Sequence, residues 1–358
     1  MFTKKIAVLA VAGALLATAC SSSTKAAGSK SSGGTPSATQ STATHLAFNA
    51  DGTPNLSGLT IRMGNAAGSA HTGDTNVYDL VQMLKNWGAN ASQTNASQND
   101  TELAVASGSL DATAGPLPTE VDSGLVVFGP NQARLDDVVL AKNSVTLSNL
   151  KGQNIAICCD ASPDGVLLTA VLKKAGIGTS QVHILRTGAS SASFQALLSG
   201  KVDVAFVHSN AVPKAGSGYH VLGTGASILP QYADSFMAAQ GSWLKSHPAV
   251  AEAIDLAWLA SAHLFDTNES QWVTNATAYT KNADTAAQYQ KAWTELQGIQ
   301  AWPTDGSIFT AAVVTFNLNI AKQQDALKGQ GNRPASQEMD LTPWQKAWAQ
   351  YSAHTSAY

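Results

Sequence analysis

The chain has 358 residues, with 21 Lys and Arg against 24 Asp and Glu and a formal net charge of −3 at pH 7. Charged residues make up only 13% and form no basic run, which argues against nucleic acid or a polybasic membrane contact as partner. Of the three cysteines only Cys158 and Cys159 lie beyond residue 20, so no disulfide framework staples the fold.

In chain order, Lys4 and Lys5 come first, then an apolar run from Ile6 to Leu16 that is too short to span a bilayer, then Ala17, Thr18, Ala19 and Cys20. This pattern predicts a signal peptide over residues 1–19. The small residues before Cys20 resemble a bacterial lipobox, with Ala17 where Leu is usual. The resemblance implies that Cys20 is lipidated and anchors the chain to the outer side of the bacterial cell membrane. A plain secretory signal cleaved nearby is the other reading, and either one makes the mature chain extracytoplasmic. Residues 20–58 are rich in Ser, Thr, Gly and Ala without apolar periodicity, so a flexible, lipid-anchored linker is expected there.

The remaining length, about 300 residues, exceeds one ordinary domain and predicts two lobes. Residues 59–63 (LTIRM) read as a strand, followed by a small-residue loop and a helical pattern that stops at Gly88. A second helix ends at Gly108 before a strand that begins near Leu110. Residues 125–144 hold two apolar runs without a long helix, as expected of a chain crossing between sheets. A new unit follows: a strand over 154–158 (NIAIC), a loop, a helix closed by Gly176, a strand over 182–185 (VHIL), and a helix up to Ser199. A buried strand over 204–207 comes next. Ser107-Gly108-Ser109-Leu110-Asp111 and Ser199-Gly200-Lys201-Val202-Asp203 repeat one element, Gly supplying a positive φ at each helix end. From about Phe236 the chain reads as helical, and Trp243, Trp258, Trp272, Trp293, Trp302, Trp344 and Trp348 there are expected to anchor packing. The expected division is 59–140 for the first part of lobe 1, 141–234 for lobe 2, and 235–358 for the second part of lobe 1 with C-terminal helices.

The order of these elements, with TLSNLKG at 146–152, a helix ending LKKAGI and then ALLSGKVDVAFV, resembles the substrate-binding proteins of the nitrate, sulfonate, taurine and thiamine-pyrimidine import family. The resemblance covers nearly the whole chain from residue 59 and is strongest over 138–212. It implies an α/β, two-lobed type II periplasmic-binding fold with two crossing hinge segments. It also implies a small organic solute trapped between the lobes, delivery to an ABC permease in the membrane, a monomer, and no cofactor or metal.

Ser162-Pro163-Asp164 has the chemistry of a helix start, which places Cys158, Cys159 and Asp160 in a loop between a strand's carboxyl end and a helix N-terminus. Open α/β sheets bind ligands there. The family resemblance implies that this loop contacts the ligand, with Ser162 and Asp160 lining the cleft and Cys159 bordering it. By the same strand-end logic Asn65, Ser69 and His71 follow the first strand, and Gly115 and Pro116 end the strand of the first repeat. Arg186 and Thr187 follow VHIL, and His208, Ser209 and Asn210 follow VDVAFV. Asp160 and Asp164 disfavour a simple anion unless Arg186 faces the same cleft, so neutral, zwitterionic and amine-bearing ligands remain open. If His71 and His208 face the cleft, affinity falls as they charge below about pH 6.5. For the cysteine pair, a wall of the ligand seat, a vicinal disulfide, metal ligation and a catalytic thiol are all chemically conceivable. The exported setting and the lack of further ligands favour the seat. No zinc-protease, nucleophile-elbow or phosphate-loop motif is present, so a secreted enzyme or a ligand sensor without a transport role are the alternatives to a binder.

Overall fold

The structure is a computed structural model describing residues 45–66, 72–160, 162–327 and 333–358. The expected signal peptide, Cys20, Ser69 and His71 lie outside the described residues. Among the described residues, ten strands form two sheets of five. The first contains β1 (Thr60–Asn65), β2 (Asn90–Asn95), β3 (Ala112–Gly115), β4 (Val126–Gln132) and β10 (Ser235–Ala239), in the order β2-β1-β3-β10-β4. The second contains β5 (Asp137–Lys142), β6 (Asn154–Ile157), β7 (His183–Arg186), β8 (Val204–His208) and β9 (Tyr219–Thr224), in the order β7-β6-β8-β5-β9.

The two orders match when the strand that enters each sheet from the other lobe, β10 or β5, is counted last in its sheet, and that strand stands fourth in both. β10 runs antiparallel to β3 and β4, and β5 runs antiparallel to β8 and β9. This fixes the geometry between the lobes. β4 leaves the first sheet at its carboxyl edge, and after residues 133–136 the chain enters the second sheet with Asp137 paired to His208, at the carboxyl end of β8. β9 ends at Thr224, and the return over 225–234 starts β10 with Phe236 paired to Gly115, at the carboxyl end of β3. The carboxyl edges of both sheets therefore face one another across two crossings, as the two-lobed expectation requires.

The repeated Ser-Gly-x-x-Asp element has one role in both lobes. Gly108 (φ 76°) and Gly200 (φ 77°) turn the chain out of a helix into the left-handed region that favours glycine. The following aspartate then ties the strand it precedes, β3 or β8, to its parallel neighbour, β1 or β6. Asp111 accepts the Arg62 backbone N–H at 2.7 Å and its guanidinium at 2.7 and 3.2 Å. Asp203 accepts the Asn154 backbone N–H at 3.1 Å and Lys142 Nζ at 2.7 Å. These bonds lie at the sheet edge away from the crossings, so this motif is structural.

The first sheet is covered by the C-terminal helices. Pro248–Thr267 buries nearly every residue, and Trp258, Trp272, Trp302 and Trp344 are fully buried. Phe265 and Trp302 meet edge to face at 4.8 Å, and Trp258 Nε1 donates to the Asn131 carbonyl at 3.0 Å. Burial of such side chains is worth about 1.5–3 kcal/mol each, so these tryptophans act as packing anchors. No helix among the described residues is long and apolar enough to cross a membrane.

Three expectations need correction. Helix does not begin near Phe236, because Phe236 is a fully buried residue of β10 and helix resumes at Gly241. The five residues 235–239 are all buried, and a short apolar run of this kind carries no period that separates strand from helix. The crossing falls before Asp137 and not at residue 140, since all of β5 pairs within the second sheet. Finally, the part of the expected linker from residue 45 packs on the first lobe. Leu56 is fully buried, its N–H bonds the Trp87 carbonyl at 2.8 Å, and the C-terminal Tyr358 hydroxyl donates to the Gly52 carbonyl at 3.2 Å.

Candidate functional site

In the second lobe the carboxyl ends of β6, β7 and β8 bring together most of the residues expected from sequence. Pro163 occupies the first turn of the helix Pro163–Lys174, and Gly176 (φ 72°) closes it, as the sequence indicates. Ser162 stands at the N-cap position, but its hydroxyl donates to the Cys159 carbonyl at 2.7 Å and makes no cap bond. The loop is tied down instead by Asp164, which accepts the Cys158 N–H at 2.8 Å. Gly165 presses against the Asp160 carbonyl, where a Cβ would stand only 2.1 Å from the oxygen. The loop is thus seated on the first helical turn by one carboxylate and one absent side chain.

Cys158 is half-buried and Cys159 exposed, both as free thiols with their sulfurs 3.3 Å apart. The contact with Cys158 holds the Cys159 thiol down to about 6, with Ser162 helping, and pushes Cys158 above the ordinary thiol range. Arg186 is already paired, since its Nε lies 2.6 Å from Asp160 Oδ2 with both side chains more than half exposed. Thr187 bonds the Ile157 and Ala189 carbonyls, at 3.1 and 2.8 Å, and supports the loop from beneath.

His208 ends β8 with its Nδ1 at 3.1 Å from Asp136 and 3.4 Å from Asp137. Ser209 N–H bonds the Asp136 carbonyl at 3.0 Å, and Asn210 continues the same turn. Burial opposes charge on the imidazole, but Asp136 and Asp137 outweigh it and hold His208 well above its ordinary value. Burial, then the neighbouring Asp164 carboxylate, pushes Asp137 well above the carboxylate range. Burial and Asp136 likewise push Asp234, on the return crossing, up to about 7. Asp136, Asp137 and His208 each offer one ligand atom within 4.8 Å of the others, a spacing that could hold a metal ion. A cation there would have to displace the proton that the two carboxylates hold on the ring.

Sequence reasoning singled out His208 and Asp164 but missed Asp136, Asp137 and Asp234. The signal was present: an Asp-Asp pair ending the crossing segment, and an Asp just before the return strand.

The first lobe contributes less. Asn65 is buried at the end of β1 and donates to the Tyr279 hydroxyl at 3.1 Å. Gly115 ends β3 against Ala66 and Glu120, and Pro116 caps the short helix Leu117–Asp122. Between the lobes, Lys214 Nζ reaches Asp284 Oδ1 at 2.7 Å. Thr72 and Asn210 face each other beside that pair around a cavity of about 10 Å³, room for about one water.

Residues 132–295 match the family described as NMT1/THI5 like. No curated protein matches the chain. Among solved structures, the ligand-binding component of an ABC-type import system from Staphylococcus aureus, with zinc bound, aligns with a TM-score of 0.65 at 14% identity, covering 80% of this chain and 98% of that one. The periplasmic aliphatic sulphonate binding protein SsuA from Escherichia coli aligns with a TM-score of 0.60 at 17% identity, covering 74% and 86%. The periplasmic nitrate-binding protein NrtA from Synechocystis PCC 6803 aligns with a TM-score of 0.64 at 10% identity, covering 83% and 90%. At such identities the likeness shows the two-lobed fold.

Proposed function

We propose that the protein is the extracytoplasmic solute-binding component of an ABC importer, held to the bacterial cell membrane by a lipid on Cys20. A small organic solute is trapped between the two lobes and passed to a membrane permease. The observation that carries this reading is that the carboxyl edges of both sheets face each other across two short crossings. Loops and helix N-termini from both lobes converge there. Similarity to solute-binding proteins of import systems supports a binder over an enzyme. Solute contacts to both lobes form together only in the closed state, so the solute shifts the population towards closure, and the permease reads that state.

The charge of the cleft narrows the solute. Asp136, Asp137, Asp164 and Asp234 surround a single imidazolium, while Arg186 is occupied by Asp160. An oxyanion such as nitrate gains little here. Among sulfonate-, taurine-, nitrate- and pyrimidine-like solutes, those carrying an amino group fit best, because an N–H donor meets carboxyl oxygens that accept whether ionised or protonated.

A thermal-shift screen of the chain lacking residues 1–20, against taurine, alkanesulfonates, nitrate, aminopyrimidines and simple amines, tests this. A solute at a hundredfold excess over Kd adds about 2.7 kcal/mol, and the amino-bearing classes are expected to give the hits. Failure of every class to stabilise the protein, or chemical turnover of a stabilising solute, would overturn the reading.

A further inference from the structure

A second cavity does not lie between the lobes. It has a volume of about 510 Å³ and opens over β2, the edge strand of the first sheet. Three elements build it. The helix Thr75–Asn86 presents Tyr78, Val81, Gln82 and Lys85, spaced three and four apart and so on one stripe. β2 presents Gln93 and Asn95, two apart and so on one face. The third wall is the end of the helix Glu269–Tyr279, where Lys281 and Asn282 both adopt left-handed backbone, φ 56° and 61°, and place Lys281 at the cavity. Neither residue is a glycine, so this turn holds strain that recurs at ligand sites.

The lining has a definite chemistry. Two phenol rings, Tyr78 and Tyr279, stand 5.4 Å apart and tilted by 34°, giving an aromatic side. Lys85 and Lys281 are exposed, and no carboxylate lines the cavity among the described residues. Asp79, beneath the same stripe, is buried and pushed up to about 8, so it is largely neutral at pH 7. At the floor, Gln93 Nε2 donates to Asn95 Oδ1 at 2.8 Å, while Gln93 Oε1 is buried without a hydrogen-bond donor. The volume lies within the range of small-molecule sites.

We propose that this cavity is a second binding site, separate from the cleft, for a small aromatic acid. The acid group meets Lys85 and Lys281, and the ring lies against Tyr78 and Tyr279. This charge preference is opposite to that of the acidic cleft, so the two sites take different ligands.

Titration calorimetry with 4-aminobenzoate as probe tests the site on the chain lacking residues 1–20. Saturable binding is expected. It should weaken at least tenfold for neutral 4-aminobenzamide, and at least tenfold in the double variant Lys85→Gln, Lys281→Gln, whose exposed positions leave the unfolding temperature unchanged. It should stay within twofold in His208→Asn, which alters only the cleft. The proposal is overturned by absence of saturable binding at millimolar probe, by equal affinity in the double variant, or by loss of binding in His208→Asn, which would place the acid in the cleft.

Discussion

His208 Nδ1 lies 3.1 Å from the Asp136 carboxylate, on a residue whose Cα pairs across the sheet with Asp137. The first crossing segment thus delivers two carboxylates to the one imidazole at the carboxyl edge of the second sheet. The sequence alone suggests a histidine that loses its proton near pH 6.5, with solute affinity changing there. The ion pair reverses that expectation, because the carboxylates hold the ring charged well above its ordinary value. The His208 ring resonances in a proton NMR titration should stay at the imidazolium position from pH 5.5 to 7.5. In Asp136→Asn their midpoint should fall towards about 6.5. A wild-type midpoint already near 6.5 would mean that Asp136 and Asp137 do not hold the proton.

Cys158 and Cys159 make unequal thiols. The contact between the two sulfurs, 3.3 Å apart, stabilises the Cys159 thiolate and brings that group down to about 6. The rate of iodoacetamide alkylation should therefore rise with a midpoint near pH 6 at Cys159, with Cys158 unmodified. Replacing Cys158 by Ala removes that contact, and the midpoint should move up towards about 8.5, the value of a free thiol. Equal labelling of both cysteines, or a wild-type midpoint already at 8.5, would remove the coupling.

What could be read from the chain follows from where each element lies. β6 and β8 are apolar runs buried on both faces, and glycines and prolines punctuate the helices beside them, so Ile155 to Ile157 and Val204 to Val207 are legible as strands. β2 is not, because it is an edge strand of Asn, Ser, Gln and Thr in which only Ala91 is buried. The Ser-Gly-x-x-Asp repeat is legible as a repeat, yet its role is visible only once Asp111 and Asp203 are seen taking the N–H of the neighbouring strand. The Asp136-Asp137 pair is visible in the sequence, but its partner is not, since the meeting with His208 depends on the pairing of residues about seventy positions apart.

Asp79 is a carboxylate held where charge is unwelcome. It is 1% exposed on the helix Thr75–Asn86, accepts from Asn275 Nδ2 at 2.5 Å, and is pushed by burial up to about 8. A group whose folded value is raised above its unfolded value binds more protons in the native state. Its contribution is therefore complete below about pH 4 and is lost as pH rises towards 8, at no more than about 1.4 kcal/mol per pH unit. Asp79→Asn keeps the acceptor for Asn275 and removes the titration. Thermal unfolding should show the variant more stable than wild type at pH 8, by about 1–3 kcal/mol, and equal to it at pH 4.5. A variant less stable at both values would show that the carboxylate is ionised and paired.

Gly165 is the closest contact in the loop that carries Cys159 and Asp160. A Cβ there would lie 2.1 Å from the Asp160 oxygen and 2.7 Å from its carbonyl carbon, both backbone atoms that cannot rotate away. Gly165→Ala must therefore lift the loop off the first turn of Pro163–Lys174 and strain the bond from Cys158 N–H to Asp164. Overpacking of this kind costs about 1–3 kcal/mol, and, on the proposal that this loop lines the cleft, solute binding should weaken with it. Gly178 supplies the control. A Cβ at that position would meet no atom within 4 Å, and its φ of −98° is ordinary, so Gly178→Ala should leave stability unchanged or raise it by about 0.4–1 kcal/mol. Urea unfolding of both variants, followed by the thermal-shift screen, separates the two effects. Equal stability and equal solute binding in Gly165→Ala and wild type would show that the loop is not seated on the helix and that Asp160 and Cys159 do not take their positions from it.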